Sequence, residues 1–362
     1  MKILMIIGTR PEAIKMLPLA LEIRKHQEFE LEICHSGQHR EMAREVFELF
    51  KIEPDHTFDA MREGQSLMEL TTRLLNYFDM LFMKTKPEIV LVHGDTTSAF
   101  CASLAAFYRG IRVAHIEAGL RTHNVSEPFP EEFNRVCIDC TADLCFAPTA
   151  LAVKNLESEG RNDAILVGNT VIDALKYTIS NKYFSPFLDM AGGRKIILIT
   201  AHRRENLGEK MRSALLGVRD ILLSGDDLFA IFPAHPNPAV RGVADEVFKN
   251  IKNIKICPPL PLRDFHNILS RSHVVLTDSG GIQEEATSLG IPTFLMRDAT
   301  ERSEGVESGN IRLVGTNRDE VASAVIGALG ESDILDKMRV PSAVFGDGHS
   351  CEKIVKKLLS LA

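Results

Sequence analysis

The chain has 362 residues, 45% of them hydrophobic and 25% charged, with a net charge of −7. That length suits two domains and the composition is that of an ordinary globular protein. The acidic balance argues against a broad nucleic-acid-binding surface, and no apolar run approaches the roughly 20 residues of a membrane span, so neither partner is expected. The seven cysteines are scattered and odd in number, which argues against a disulfide framework and for a reducing, cytoplasmic setting.

The first apolar run, Met1 to Ile7, is broken at once by Gly8-Thr9-Arg10-Pro11 and reads as a core strand over 2–8 rather than a signal peptide. A helix over 11–25, a strand over 31–35 and a helix over 40–50 come next. After a helix over 67–84 come strands at 89–92 and 112–116, with a helix over 98–108 between them, then strands at 144–147 and 164–167. A second series opens at 195–200 and continues at 228–232, 254–257, 273–277, 293–296 and 311–314. Short β-branched runs alternating with helices predict parallel sheets in an α/β protein with two Rossmann-like halves. Pro186 and Gly192-Gly193 mark 181–193 as the transition, and the last helix is expected to return to the first half.

Ligands of open α/β sheets bind beyond the carboxyl ends of the strands. Asp95, in His93-Gly94-Asp95-Thr96-Thr97, and Glu117, in His115-Ile116-Glu117-Ala118-Gly119-Leu120-Arg121-Thr122, both come just after strands and should face one crevice. Arg10 and Lys15 flank a helix N-terminus that opens with Pro11, an arrangement suited to an anion. In the second half, Asp278-Ser279-Gly280-Gly281-Ile282-Gln283-Glu284-Glu285 joins a strand to a helix, as a diphosphate site requires, and Glu285 is placed to accept from ribose hydroxyls. The loops His202-Arg203-Arg204 and Arg297 to Arg302 add cations. Cys137 and Cys140 read as two small apolar residues one helical turn apart, not as half of a metal site. Acids opposite a nucleoside diphosphate suit proton transfer on an attached sugar.

Gly8 to Lys15, Gln38-His39-Arg40-Glu41, the Asp95 and Glu117 segments, Pro130-Glu131-Glu132-Phe133-Asn134-Arg135, Gly168-Asn169-Thr170-Val171-Ile172-Asp173, His202 to Asn206, Asp278 to Ala286 and Phe345-Gly346-Asp347-Gly348 occur in order along the chain. Together they resemble the non-hydrolysing UDP-N-acetylglucosamine 2-epimerases. The resemblance implies a glycosyltransferase-B-like fold, with two Rossmann-like domains facing a cleft: 1–170 with a returning helix at 350–362, and a UDP-binding domain at 171–349. It implies a cytoplasmic homodimer with no metal or redox cofactor that interconverts UDP-GlcNAc and UDP-ManNAc, through a 2-acetamidoglucal, for surface polysaccharide supply.

By the same resemblance Asp95, Glu117, Glu131 and His202 form the catalytic set. Arg10, Lys15, Phe265, Ser279, Gly280, Gly281, Glu285 and Arg302 bind substrate with them. Gln38, Arg203 and His235 match positions with which some members bind a second, activating UDP-GlcNAc, while Glu41 and Gly64 depart from that pattern. Ser303 replaces the proline common after this Arg302 in bacterial members. The alternatives are a 2-epimerase of UDP-GalNAc or a modified UDP-HexNAc, a hydrolysing epimerase, a UDP-sugar glycosyltransferase and a non-catalytic UDP-sugar sensor.

Overall fold

The computed structural model describes residues 1–38, 40–203 and 206–362. His39, Arg204 and Glu205 of the motifs named for the sequence lie outside the described residues. The chain divides into two compact units, one made of Met1–Tyr177 with Gly346–Ala362, the other of Thr178–Phe345.

The first unit is built on seven strands: β1 (Lys2–Ile7), β2 (Glu30–His35), β3 (His56–Thr57), β4 (Ile89–His93), β5 (Arg112–Ile116), β6 (Leu144–Ala147) and β7 (Ile165–Leu166). They pair in the order β3-β2-β1-β4-β5-β6-β7, and every pairing is parallel. The second unit has β8 (Lys195–Thr200), β9 (Leu228–Pro233), β10 (Ile254–Cys257), β11 (Val274–Thr277), β12 (Thr293–Leu295) and β13 (Ile311–Leu313). Their order is β10-β9-β8-β11-β12-β13, again all parallel. The central strands are buried from end to end, as Ile3 to Ile7 and Ile89 to Val92 show, because helices cover both faces of a parallel sheet. Among the described residues no helix is long and apolar enough to cross a membrane.

The strand order reverses between β1 and β4 in the first sheet and between β8 and β11 in the second. At such a point neighbouring connections depart to opposite faces and leave a crevice at the carboxyl ends. Arg10 opens the helix that follows β1, Asp95 lies in the loop after β4, and the loops after β8 and β11 carry His202 and Ser279.

Three expectations need correction. The two-residue β3 was not anticipated; it pairs only at Cys34 and His35, on the sheet edge, and is too short to carry a periodic signal. The domain boundary expected at 170 falls at the start of a helix, Thr170–Thr178, that belongs to the first unit as far as Tyr177. Tyr177 packs on Phe50, with ring centroids 5.5 Å apart. Buried Asp173 accepts from the backbone N–H groups of Ser350 and Cys351 at 3.2 and 3.0 Å, heading the final helix Ser350–Leu359. The chain therefore rejoins the first unit at Gly346, and the segment 181–193 lies within the second unit, where it holds the helix Pro186–Ala191.

Candidate active site

In the first unit the carboxyl ends of β1, β4 and β5 surround a cavity of about 400 Å³. Asp95, Glu117 and Glu131 all line it, with Lys15, His93, Gln38 and Asn134. Glu117 is the first residue after β5 and has a left-handed backbone, φ 68°. That conformation costs a residue with a side chain about 1–3 kcal/mol and persists only where the surroundings enforce it. Here Ala118 N–H donates to the Phe146 carbonyl at 3.1 Å, while the carboxylate is gripped from two sides. Lys15 Nζ, from the helix Arg10–Ile23, donates to Glu117 Oε2, and the Asn169 amide donates to the same oxygen at 2.7 Å. His93 Nε2 stands 3.6 Å from it. Burial, with the nearby charge of Lys15, pushes His93 down to about 3 against the pull of Glu117, so the ring is neutral at physiological pH. A Cβ on Gly94 would stand 3.7 Å from Glu117 Oε1, so glycine there keeps this side of the carboxylate open.

Asp95 is fixed differently. Arg135 donates to its carboxylate, and the Asn134 amide donates to its backbone carbonyl at 2.9 Å. Both come from the helix Glu131–Thr141, whose first residue is Glu131. Its neighbour Glu132 is buried and accepts from the N–H groups of Thr122 and His123 at 2.9 Å each, so Glu132 shapes a loop while half-buried Glu131 faces the cavity.

Glu12 completes this wall. It is buried and accepts from Gly8 N–H at 3.0 Å, from Thr9 N–H at 2.6 Å and from the Thr96 hydroxyl at 2.8 Å, joining the β1 and β4 loops. Burial pushes its carboxyl up to about 7 against those hydrogen bonds. The folded protein then holds this proton up to about pH 7, whereas the unfolded chain loses it near 4.5, the ordinary glutamate value. The resulting stabilisation, of order 3 kcal/mol, is full below the unfolded value and disappears as pH rises toward 7. Glu12→Gln, which mimics the protonated acid, should flatten that dependence: by calorimetry the melting temperature of the native chain falls relative to the variant between about pH 5 and about pH 7.5.

In the second unit buried Asp278, directly after β11, organises the loop after β8. It accepts from the N–H groups of His202 at 3.0 Å and Arg203 at 2.9 Å and lies 3.4 Å from His202 Nδ1. The rings of His202 and His235 stack with centroids 6.2 Å apart. Burial lowers the His202 pKa although Asp278 raises it. Ser279 is the N-cap of the helix Gly280–Leu289, and its side chain makes no cap hydrogen bond.

Arg302 lies over the start of that helix. A Cβ on Gly280 would meet its guanidinium nitrogen at 2.6 Å, which explains glycine at this position. Arg302 donates to Glu284 at 2.7 Å and to Glu301 at 2.5 Å, and Glu301 also takes Arg203 at 3.2 Å and Arg297 at 2.9 Å. Burial alone would raise the Glu301 pKa, but the arginines outweigh it and hold the carboxyl at about 2. Buried Glu285 has one carboxylate oxygen without a hydrogen-bond partner, and His266 Nε2 is 3.5 Å from the other. Phe265 packs against the apolar cluster that includes Leu198 and Val275.

The predicted acids, with Lys15, line the cavity of the first unit, whereas His202, Arg203, His235, Phe265, Ser279, Gly280, Gly281, Glu285 and Arg302 belong to the second unit. Arg10 lies outside the cavity lining and pairs with Glu45 at 3.9 Å, whereas Gln38 lines the cavity with the acids. Residues overlooked as site members include His93, Asn134 and Asn169, all within quoted motifs, and Glu301. Cys137 and Cys140 are free thiols on the helix Glu131–Thr141.

A family model described as UDP-N-acetylglucosamine 2-epimerase matches residues 21–359. The chain belongs to this family. A UDP-N-acetylglucosamine 2-epimerase of Bacillus subtilis is 47% identical over 361 residues, covering 99% of this chain and 95% of the relative. The crystal structure of a UDP-GlcNAc 2-epimerase from Neisseria meningitidis bound to UDP-GlcNAc superposes with a TM-score of 0.92 at 39% identity, covering 99% of this chain and 100% of that one. The likeness to a kitacinnamycin glycosyltransferase, TM-score 0.62 at 13% identity over 99% of each chain, shows the shared fold alone. The epimerase family and the glycosyltransferase-like α/β architecture are those the sequence motifs implied.

Proposed function

We propose that this chain interconverts UDP-GlcNAc and UDP-ManNAc without hydrolysing them. The observation that carries the reading is the convergence of Asp95, Glu117 and Glu131 on one cavity, in a chain of the 2-epimerase family. The Neisseria relative bound to UDP-GlcNAc supports the substrate.

The C2 hydrogen of the sugar has no adjacent carbonyl to acidify it. Breaking the C1–O bond to UDP builds positive charge at C1, which makes the C2 proton easier to remove. A carboxylate of the first unit takes that proton as UDP leaves anti to it, giving 2-acetamidoglucal and UDP. UDP then adds back at C1 while a carboxylic acid returns a proton to the opposite face of C2.

Asp95, Glu117 and Glu131 are the acid/base set, and Lys15 donates to the Glu117 carboxylate and orients it. His202, with Arg10, addresses the diphosphate. Ser279, Gly280, Gly281 and Arg302 hold the leaving phosphates, where donors strengthen as negative charge develops. The unsatisfied Glu285 oxygen accepts from ribose, and Phe265 flanks the uracil. The enzyme works as a homodimer, for which exposed Met80, Met83, Phe107 and Tyr108 on adjacent helices offer an apolar face, and its product supplies surface polysaccharide.

Turnover of UDP-GlcNAc in D2O should place deuterium at C2 of the UDP-ManNAc formed, read by NMR. Epimerisation with the original hydrogen retained overturns the mechanism. Free ManNAc with accumulating UDP would identify a hydrolysing enzyme, and turnover of UDP-GalNAc alone a different sugar.

A further inference from the structure

The HIEAGLR segment contains two residues, His115 and Arg121, that the proposed chemistry does not use. Both converge on Asp139, which lies twenty-four residues after His115 on the helix Glu131–Thr141. All three side chains are 2% exposed or less. His115 Nδ1 is 2.6 Å from Asp139 Oδ1, and its Nε2–H donates to the Gly94 carbonyl at 2.7 Å. The other Asp139 oxygen accepts from Gly119 N–H at 3.2 Å and from Arg121 at 2.7 Å. Arg121 is held in turn by Glu159 at 2.6 Å, and Arg161 donates to the Asp139 carbonyl at 2.5 Å.

One carboxylate thus anchors both strand-end loops. Through His115 it reaches Gly94, the residue before Asp95; through Gly119 N–H it fixes the turn two residues after Glu117. Burial would raise the Asp139 carboxyl, but His115 and Arg121 outweigh it and keep it low, so the anchor is ionised. None of the three lines the acid cavity. An ionised, buried hub needs its partners, because an unpaired charge at such a site is strongly unfavourable. A hub serving only stability could be replaced by apolar packing; this one joins the backbones of the two loops that present acids.

We propose that Asp139, with His115 as its arm, is a positioning residue that sets the separation of Asp95 and Glu117 for proton transfer. The inference rests on the epimerase reading. A misplacement of about 1 Å in such a pair costs on the order of 100-fold in rate.

Three variants of the full chain test it: Asp139→Asn, His115→Asn and His115→Gln. The asparagine amide at 115 matches Nδ1 and keeps the Asp139 bond but cannot reach Gly94, whereas the glutamine amide matches Nε2 and keeps the Gly94 bond. Asp139→Asn should lower kcat by roughly 100-fold with KM within about threefold, and release more 2-acetamidoglucal per turnover. UDP binding should stay at one site per folded chain. Both His115 variants should lower kcat by at least about tenfold, because each leaves Asp139 unconnected to Gly94. The proposal is overturned if Asp139→Asn keeps native kcat, if the loss in kcat is matched by a proportional loss of UDP-binding sites, or if either His115 variant keeps native kcat. Should Asp139→Asn not fold, the His115 pair decides alone. A native chain that turns over no UDP-GlcNAc would instead defeat the epimerase reading.

Discussion

Glu117→Gln should lower kcat by about 1000-fold, within the range seen when a positioned acid or base is removed. The amide keeps the shape of the side chain and an oxygen for Lys15 and Asn169, but it neither takes nor returns a proton. Deuterium incorporation at C2 should fall with kcat. The affinity for UDP alone should change by less than about threefold, because all the groups assigned to the diphosphate and ribose except Arg10 belong to the second unit. Stability should fall as well: Lys15 is 11% exposed and would face a neutral amide in place of the Glu117 carboxylate, and breaking a buried pair from one side costs up to about 3–5 kcal/mol. The two effects separate by experiment, since melting reports the second and turnover per folded chain the first. A variant that retains kcat within tenfold would remove Glu117 from the acid/base set.

Gly280→Ala should weaken UDP binding without a matching gain in stability. Alanine is the better helix former by about 1 kcal/mol, so the start of the helix Gly280–Leu289 gains. The new Cβ, however, would occupy the place of the Arg302 guanidinium, 2.6 Å from its nearest nitrogen. Arg302 is the end of a flexible side chain, but swinging away takes it from buried Glu284 and from Glu301, which offsets the helical gain. What is lost is a charged donor to the phosphates, worth about 1.5–3 kcal/mol, or 10- to 100-fold in UDP affinity. Calorimetric titration with UDP, set beside the melting temperature, checks both effects. Unchanged UDP affinity would mean that Arg302 does not serve the diphosphate.

Much of this arrangement is legible in sequence because strand ends are. Runs such as Ile89 to Val92 announce buried parallel strands, and the residues just past such a run must lie at the ligand edge; that rule picks out Asp95 and Glu117. It does not pick out Glu131. A helix position says nothing about facing a cavity, and only the family motif chooses Glu131 over Glu132. The structure supplies the physical reason, since Glu132 is committed to the N–H groups of Thr122 and His123. Long-range partners are the least visible. Asn169 meets Glu117 across fifty-two positions and Asp139 meets His115 across twenty-four, and no local periodicity encodes either. Glu301 reads as an ordinary loop charge because three arginines surround it only after folding.

The return of the chain at Gly346 has a practical reach. Gly346 lies directly against the backbone of Gly168 and Asn169, so close that a Cβ there would come within 3.2 Å of the Asn169 nitrogen. Residues 346–362 thus back the residue whose amide grips Glu117. A fragment stopping at Tyr177 would encode Asp95, Glu117 and Glu131 yet lack the strip that seats Asn169. Truncation before Gly346 would then reach the acid cavity although it removes none of the acids.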